Sequence, residues 1–380
     1  MIIKMRFHKL GKNNWHSILR DEMRNKQIHQ INRNPIKTIL VMILFILVLT
    51  GCHLPYKNHE IPTSTEPVAS ETPVIQITAT PEISKSAIIF VADENANAGI
   101  VDFMKTALTN LAGDSFNFQE TASLKAEDIP TGEAFVFFAS EPENLSDLAQ
   151  NRPDVQFAVI GSEQSGSGNI WPVQYDRAWL PFLGGYALAI SAYDWRSAIL
   201  VASDSKLYDE KTIDVFTNGA KYFCGNCKSS NPPYNTYPVI ISLPSTSTDD
   251  DWNKQIDAAQ NQVLQTYYIT ELAGTQARYQ KLSEQSVYMI GEMQPPEGFD
   301  QWWLATINFD WAATFNQVIE KSRNKESSAV LSPVLSIVPG KLPEKFSEGK
   351  KLDIQKRYEE LLSGYIDPYD AAPGNLTLQK

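Results

Sequence analysis

The sequence contains only five histidines, and all of them lie at or before residue 59. The long region after residue 84 therefore has none. This absence excludes Ser-His-Asp triads, Cys-His nucleophile pairs and His-ligated zinc from that region. No G-x-G-x-x-G or Walker-type phosphate loop is present either. Any enzymatic chemistry there would depend on carboxylates, Lys, Ser or Tyr.

Cysteine is scarce as well, with Cys52, Cys224 and Cys227 as the three examples. The C-x-x-C spacing of the last two is half of a zinc site, but no second pair or histidine completes it. Gly225 and Asn226 suit the tight turn between them. In an exported chain the sequence predicts a Cys224–Cys227 disulfide, with free thiols as the alternative. No metal and no cofactor is expected.

Positive charge is sparse outside the amino-terminal segment. Residues 1–51 hold nine Lys/Arg and two Asp/Glu, whereas the remainder holds 24 Lys/Arg and 42 Asp/Glu. The net charge is thus +7 for the segment and −18 for the body. An acidic body repels phosphate backbones, so nucleic acid is not an expected partner.

The longest apolar run, residues 39–49, is too short to span a bilayer, which takes about 20 residues. Arg33 and Lys37 precede it, which is typical of a signal peptide with a basic start and an apolar centre. Residues 1–51 are therefore predicted to be a signal peptide, with Met23 as an alternative start. Residues 53–84 contain five prolines among Ser, Thr and Glu, so 52–84 is expected to be a disordered tether.

The apolar run ends in Leu49-Thr50-Gly51-Cys52, which resembles the bacterial lipobox. The resemblance implies that Cys52 becomes the lipidated first residue of a mature lipoprotein, in which a palmitate is among the expected acyl groups. The alternative is a buried cysteine after a short anchor helix. The implied location is the extracytoplasmic face of the cell membrane, reached through the lipid anchor.

From residue 85 onward, short apolar runs alternate with amphipathic stretches. The runs predict strands at 87–92, 134–139, 157–161, 198–202, 239–243, 267–270, 287–291 and 304–308. The stretches predict helices at 100–111, 178–192, 209–223, 251–264, 311–321 and 353–364. Gly184 and Gly185 within the second of these helices suit close packing.

Strands that are apolar throughout and separated by helices indicate parallel sheets covered on both faces. The predicted fold class is α/β, with two doubly wound Rossmann-like lobes and a cleft between them. Lobe I is expected to comprise 85–175 with a return segment near 294–330, and lobe II to comprise 176–293 with 331–370. Residues 371–380 are expected to form a tail.

The order of several segments resembles the basic membrane protein (BMP) family of substrate-binding lipoproteins. The segments are residues 86–93, Pro181-Phe-Leu-Gly-Gly-Tyr-Ala-Leu-Ala-Ile190, Phe216-Thr-Asn-Gly-Ala-Lys-Tyr222, Ala273-Gly274-Thr275, residues 304–311 and Arg357-Tyr-Glu-Glu-Leu-Leu-Ser-Gly-Tyr365. The family has a fold like that of the type I periplasmic binding proteins and serves ABC importers. Its members include purine-nucleoside binders.

The resemblance implies a solute-binding protein without enzymatic activity, whose partners are a small-molecule ligand and an ABC transporter permease. A nucleoside is the ligand class that it suggests. The sequence departs from the family in its first loop, which is shorter here. It also has Glu292 where the family has an Asp nearby, and Asn308 at the position of a family Lys.

Ligands in open α/β sheets bind beyond the carboxyl ends of the strands. This rule selects Asp93, Asn95 and Asn97 after the first strand, with turn capping as the alternative role. The remaining candidate ligand-binding residues, for which core packing, turns or surface charge are the alternatives, are Trp171, Gln174, Gly274, Glu292 and Asn308. Asp310 is expected to cap the helix that follows it.

Three other functions are compatible with the sequence, one of which is a purely structural surface lipoprotein that no ligand would stabilise. The same fold serves equally well as an extracellular sensor or an orphan binding lipoprotein without an importer. A hydrolase using two carboxylates is a further alternative, because acid/base catalysis by a carboxylate pair does not require histidine.

Overall fold

The computed structural model describes residues 85–94, 96–162, 165–208 and 210–370. All of them lie within one compact unit, Ala79–Lys380. The segments expected to form the signal peptide, the tether and the tail lie outside the described residues, as do Cys52 and Asn95.

The first sheet contains five strands and is parallel throughout. The strands are β1 (Ser86–Val91), β2 (Phe116–Thr121), β3 (Ala134–Phe138), β4 (Gln156–Ile160) and β5 (Ile170–Val173). Their order is β2-β1-β3-β4-β5. Helix α1 (Ala98–Ala112) follows β1, and helix α2 (Leu145–Asn151) follows β3.

Both faces of the first sheet are apolar, and both are covered. On β1, Ile88 and Phe90 pack on the side of α1, whereas Ile89 and Val91 pack on the side of α2. This alternation explains why the strand sequence is apolar throughout: successive side chains enter two different cores.

The second sheet contains six strands, β6 (Ser197–Ala202), β7 (Val239–Leu243), β8 (Thr266–Ile269), β9 (Tyr288–Gly291), β10 (Trp303–Asp310) and β11 (Val334–Pro339). Their order is β11-β10-β9-β8-β6-β7, and only the β10–β11 pair is antiparallel. The helices of this part of the chain are α3 (Trp179–Ser191), α4 (Thr212–Cys224), α5 (Asp249–Ala259), α6 (Gln276–Glu284), α7 (Trp311–Arg323) and α8 (Glu348–Leu362).

Helices again cover both faces. Ile199 and Val201 of β6 pack in the core formed with α3, α4 and α8, whereas Ala198 and Leu200 pack in the core formed with α5 and α6. The α/β fold class with two doubly wound parallel sheets is thus confirmed. In each sheet the strand order reverses beside one strand, β1 in the first sheet and β6 in the second.

Helix α7 follows β10 of the second sheet but packs on the first sheet. Its residues Phe315, Val318 and Ile319 belong to the core on the α1 side. We therefore define lobe I as the first sheet with α1, α2 and α7, and lobe II as the second sheet with the other helices. Within the segment 294–330, this helix packs on the first sheet, whereas β10 lies in the second sheet.

Three segments cross between the lobes: 174–178, the β10–α7 junction and 331–333. Two of them run side by side. The Gln174 amide donates to the Leu331 carbonyl at 2.8 Å, and the Leu331 amide donates to the Pro172 carbonyl at 2.8 Å. The Ser332 hydroxyl also contacts the Gln174 side-chain oxygen at 3.3 Å.

Helices α3 and α4 pack at glycine contacts. A Cβ added at Gly185 would lie 2.0 Å from the Phe216 carbonyl oxygen, and one added at Gly219 would lie 2.0 Å from the Phe182 carbonyl oxygen. The close packing expected of the Gly-Gly pair in α3 is therefore present, and it depends on the missing side chains.

All eight strands expected from the sequence are present, and the structure adds β2, β5, β11, α2 and α6. The final helix begins at Glu348 instead of 353, after Ser347 at its N-cap position. Helix α5 spans Asp249–Ala259 and ends before the expected residue 264, where a 3₁₀ turn replaces it. Cys224 and Cys227 are joined by a disulfide with a Cα–Cα distance of 5.2 Å.

Candidate functional site

A cavity of about 820 Å³ lies between the two lobes. Lobe I contributes the exposed side of α1 and the start of α7. Lobe II contributes the loops that follow β6, β8 and β9, together with residues of β10 and β11, and the crossing segment 175–177 completes the wall. The volume is within the range of small-molecule binding sites, roughly 300–1,000 Å³.

Strand direction explains why these loops meet. The carboxyl ends of parallel strands share one edge of a sheet, and the reversal of strand order beside β6 separates the loops after β6 and β8. A crevice at such a reversal is the usual ligand site of an open α/β sheet. Asp204 and Glu271 lie in these two loops and line the cavity.

The lobes also touch directly at one point of the cavity wall. A Cβ added at Gly99, in the first turn of α1, would lie 2.9 Å from the Leu207 backbone nitrogen and 3.0 Å from the Lys206 carbonyl carbon. The missing side chain therefore allows α1 of lobe I to approach the loop after β6 in lobe II. The structure is closed at this contact.

Four aromatic rings form one wall, which we call the aromatic wall: Phe103, Tyr175, Phe309 and Trp311. Phe103 stacks on Trp311 with ring centroids 4.3 Å apart and an interplanar angle of 16°. Tyr175 meets Trp311 edge to face at 5.4 Å, and Phe309 does so at 5.8 Å. Because these rings come from α1, the crossing segments and β10, the aromatic wall spans the lobe boundary.

Glu292, directly after β9, is the most deeply buried carboxylate of the cavity, with 4% of its surface exposed. One carboxylate oxygen accepts hydrogen bonds from the hydroxyls of Tyr208 and Tyr268, the latter at 3.3 Å. The other accepts from the Glu271 backbone amide at 2.8 Å. Burial raises the pKa of Glu292 to about 7, although the Tyr208 hydrogen bond opposes this change.

The two tyrosines remain neutral donors. Burial raises the pKa of the Tyr208 hydroxyl well above its ordinary value, and the neighbouring Glu292 carboxylate raises it further. The same two causes raise the pKa of Tyr268. When Glu292 is ionised, neutral hydrogen-bond donors stabilise its charge, and no Lys or Arg of the described residues pairs with it.

Among the charged residues that line the cavity, the acidic ones predominate. The lining includes two cationic side chains, Arg177 and Lys206, against six carboxylates: Asp102, Asp176, Asp204, Glu271, Glu292 and Asp310. Desolvation raises the pKa of Glu271, and the Asp102 carboxylate on the opposite lobe raises it further. The two lobes thus present like charges to each other.

Besides Glu292, three of these carboxylates accept hydrogen bonds from backbone amides. Asp176 accepts from Ala178 at 2.8 Å, Asp204 from Ser245 at 2.6 Å, and Asp310 from Ala313 at 2.8 Å. The last bond confirms Asp310 as the N-cap of α7. Asp102, Glu271 and Glu292 form no ion pair with any Lys or Arg of the described part of the chain.

Two of the candidate residues selected from the sequence, Glu292 and Asn308, line the cavity. Asn97 caps α1, where its side-chain oxygen accepts from the Gly99 and Ile100 amides at 3.0 and 3.2 Å. Asp93 accepts a hydrogen bond from the Ser140 hydroxyl at 3.2 Å. Asn95 lies outside the described residues.

The other three candidates have packing environments. Trp171 is 1% exposed, and its indole N–H donates to the Gln156 side chain at 2.8 Å within the core of lobe I. Gln174 lies in the crossing segment. Gly274 packs under Tyr279, whose hydroxyl would lie 2.1 Å from a Cβ added there. A ligand-binding role for these three residues stays a prediction.

Sequence reasoning missed the α1 side of the cavity and the loop after β6, and in the loop after β8 it selected Gly274 but not Glu271. A signal for the loops was present, because Asp204 and Glu271 follow predicted strands as Glu292 does. Asp102 and Phe103 gave no comparable signal, since they lie one turn inside a helix whose exposed face is polar in any case.

No helix among the described residues is both long and apolar enough to cross a membrane. No protein-family model matches the chain, and no curated protein matches it.

Several solved structures are similar to the chain. An ABC transporter solute-binding protein from Conexibacter woesei DSM 14684 matches at 14% identity and a TM-score of 0.49, covering 75% of this chain and 98% of that one. A transcriptional activator of the comK gene from Bacillus halodurans matches at 14% identity and a TM-score of 0.43, covering 75% and 100%. An ABC transporter solute-binding protein from Aeropyrum pernix K1 matches at 13% identity and a TM-score of 0.42, covering 74% and 92%.

Proposed function

We propose that this chain is a lipid-anchored, extracytoplasmic solute-binding protein that delivers a small polar metabolite to an ABC importer. The observation that carries the proposal is the cavity between the lobes, lined by aromatic rings and by a few polar groups of both lobes. Buried aromatic surface with a small number of fixed polar groups is the usual composition of a small-molecule site.

Binding is coupled to closure of the lobes. The crossing segments are the only strand and helix connections between the lobes in the described part of the chain, and they are short. A solute that contacts α1 on one side and the loops after β6 and β8 on the other stabilises the closed state. Because only such differential contacts shift the equilibrium, the closed form is the one that an importer would recognise.

The lipobox-like Leu49-Thr50-Gly51-Cys52 supports anchoring through Cys52, and the proline-rich segment after it would act as a tether. Mass spectrometry of the amino-terminal peptide, purified from the membrane fraction, would show a diacylglyceryl group on Cys52. The Cys52→Ser variant should move to the soluble extracytoplasmic fraction. An intact, unmodified chain in the cytosol would contradict the proposal.

The protein acts as a binder without turnover. A nucleoside is the ligand that the family resemblance implies, and the aromatic wall could stack on a base. The extracellular sensor has the same binding step, and loss of ATP-dependent solute uptake on deletion of the chain would separate transport from sensing.

Thermal-shift screening of nucleosides, sugars, amino acids and amines tests the binding step, because a solute that prefers the native state raises the melting temperature. The full chain with Cys52→Ser avoids lipid. At least one compound should stabilise this protein, and Trp311→Ala in the aromatic wall should remove the effect. Trp302→Ala, which lies outside the cavity lining, is the control. A flat response across the library would overturn the proposal.

A further inference from the structure

The cavity has an excess of negative charge that its own residues do not balance. Carboxylates outnumber cationic side chains by six to two. Of the six, Asp102 and Glu271 have neither a backbone amide nor a Lys or Arg as side-chain partner among the described residues, and Glu292 accepts from a backbone amide but likewise has no Lys or Arg partner there. Like charges held together in a partly desolvated space repel one another, and a bound cation removes that cost.

The three carboxylates lie on both sides of the cleft. Asp102 is on α1 of lobe I, whereas Glu271 and Glu292 follow β8 and β9 of lobe II. Without a ligand, closure brings Asp102 towards Glu271, and their repulsion opposes it. A positively charged solute between them converts this repulsion into attraction across the cleft, so its charge contributes directly to closure.

The aromatic wall is a second, independent feature that suits a cation. Phe103, Tyr175 and Trp311 line the cavity at the lobe boundary, where they also pack against one another. Ring faces attract ammonium and guanidinium groups, more strongly when the site excludes water. Aromatic rings combined with carboxylates suit an organic cation, because both groups attract positive charge.

We infer that the solute is an organic cation, an amine or quaternary ammonium compound with an apolar or aromatic part, held between Asp102 and Glu271 and against the aromatic wall. This inference rests on the proposed solute-binding function and names the ligand class of the same cavity. Arg177 and Lys206 are the two cationic residues of the lining and would meet any anionic group of the solute.

Titration calorimetry with cations and their uncharged isosteres tests the inference at pH 7.5. Suitable pairs are choline with 3,3-dimethyl-1-butanol and phenethylamine with 2-phenylethanol. We expect at least one cation to bind about tenfold tighter than its isostere, because charge is the main difference within a pair. Equal or tighter binding of the uncharged member in both pairs would overturn the inference.

Variants locate the effect. Asp102→Asn and Glu271→Gln should each weaken binding of the cation and leave binding of the isostere unchanged. Glu143→Gln removes an equal charge at an exposed position outside the cavity lining and should change neither. Equal losses of cation affinity in all three variants would indicate a diffuse charge effect and overturn the assigned site.

Adenosine and ribose complete the titrations. If either binds in a manner abolished by Trp311→Ala while no cation exceeds its isostere, the cavity is a solute site for an uncharged ligand: the inference fails and the proposed function stands. If no compound binds, the proposed function fails with it.

Discussion

At the residue scale, Glu292 combines burial with a full set of neutral hydrogen-bond donors. Its hydrogen-bond partners are the hydroxyls of Tyr208 and Tyr268 and the backbone amide of Glu271, and the side chains of Tyr175, Tyr279 and Glu271 interact with it electrostatically. None of them is cationic. The hydrogen bonds satisfy the buried carboxyl group, but no cation offsets the cost of ionising it. The pKa of Glu292 is therefore raised above its ordinary value.

This environment predicts a pH-dependent stability. In the unfolded chain Glu292 ionises near its ordinary pKa of 4.5, whereas in the folded chain it does so at about 7. Between these values the folded protein keeps a proton that the unfolded chain has lost, so the free energy of unfolding falls as pH rises, by on the order of 3 kcal/mol for this group. Glu292→Gln removes this dependence.

Urea unfolding between pH 5 and pH 8 measures the effect. The free energy of unfolding of Glu292→Gln minus that of the parent should increase as pH rises. Glu143→Gln, at an exposed site, should follow the parent throughout. Parallel profiles for Glu292→Gln and the parent would show that the carboxylate is already ionised in the folded protein.

Asn97 tests whether a candidate selected from the sequence binds solute or shapes the chain. Its side chain accepts from two amides at the start of α1. Asn97→Ala should lower the free energy of unfolding by about 1 kcal/mol, whereas Asn97→Asp should retain most of the stability. Solute affinity should be unchanged in Asn97→Asp. A loss of affinity there without a loss of stability would assign Asn97 to the binding site instead.

At the scale of elements, seven of the eight predicted strands are inner strands of a sheet, and the exception is the edge strand β7. The strands that the sequence did not reveal, β2, β5 and β11, all lie at sheet edges. β2 alternates half-buried and exposed residues, and β5 and β11 contain Pro172 and Pro339. Proline is tolerated at an edge because its missing N–H is not needed there, but it lowers the strand signal of the sequence.

The candidate site could likewise be predicted only where it adjoins a clear strand. Glu292 and Asn308 could be predicted because they lie at or after strands whose apolar runs are unmistakable. The aromatic wall could not, since Phe103 and Trp311 lie far apart in the sequence and meet only when α7 packs beside α1 on lobe I. Contacts made by helices that change lobes depend on topology, which strand and helix patterns do not contain.

The contact between α3 and α4 gives an element-scale prediction. Gly185→Ala places a methyl group against the Phe216 carbonyl and forces the helices apart, at a cost of about 2 kcal/mol or more in the free energy of unfolding. Gly349→Ala, in the exposed first turn of α8, meets only the Ser347 hydroxyl at 3.7 Å and should be neutral or stabilising. Chemical denaturation compares the two, and equal stability of both variants would contradict the close packing.

At the scale of the whole molecule, the approach of Gly99 to Leu207 joins lobe I to lobe II in the closed form. Gly99→Val adds a side chain that this approach cannot accommodate, so it should favour the open form and weaken solute binding by about tenfold or more. The thermal unfolding of the solute-free protein should change little. Gly349→Val is matched, because both glycines are the second residue of a helix.

Calorimetric titration of both valine variants with the tightest-binding solute gives the comparison. Unchanged affinity in Gly99→Val would mean that the contact is not a feature of the bound state. Equal weakening in Gly349→Val would mean that the effect has nothing to do with the cleft.

Closure of the lobes around a solute is most directly measured by the distance between spin labels on the two lobes. Cysteines at the exposed positions Asp114 of lobe I and Glu210 of lobe II, in the Cys52→Ser background, provide the labelling sites. Pulsed electron double resonance should give a broad or two-component distance distribution without solute and one shorter, narrower component at saturating solute. An identical distribution in both states, with binding verified in the same sample, would contradict a cleft that closes on its ligand.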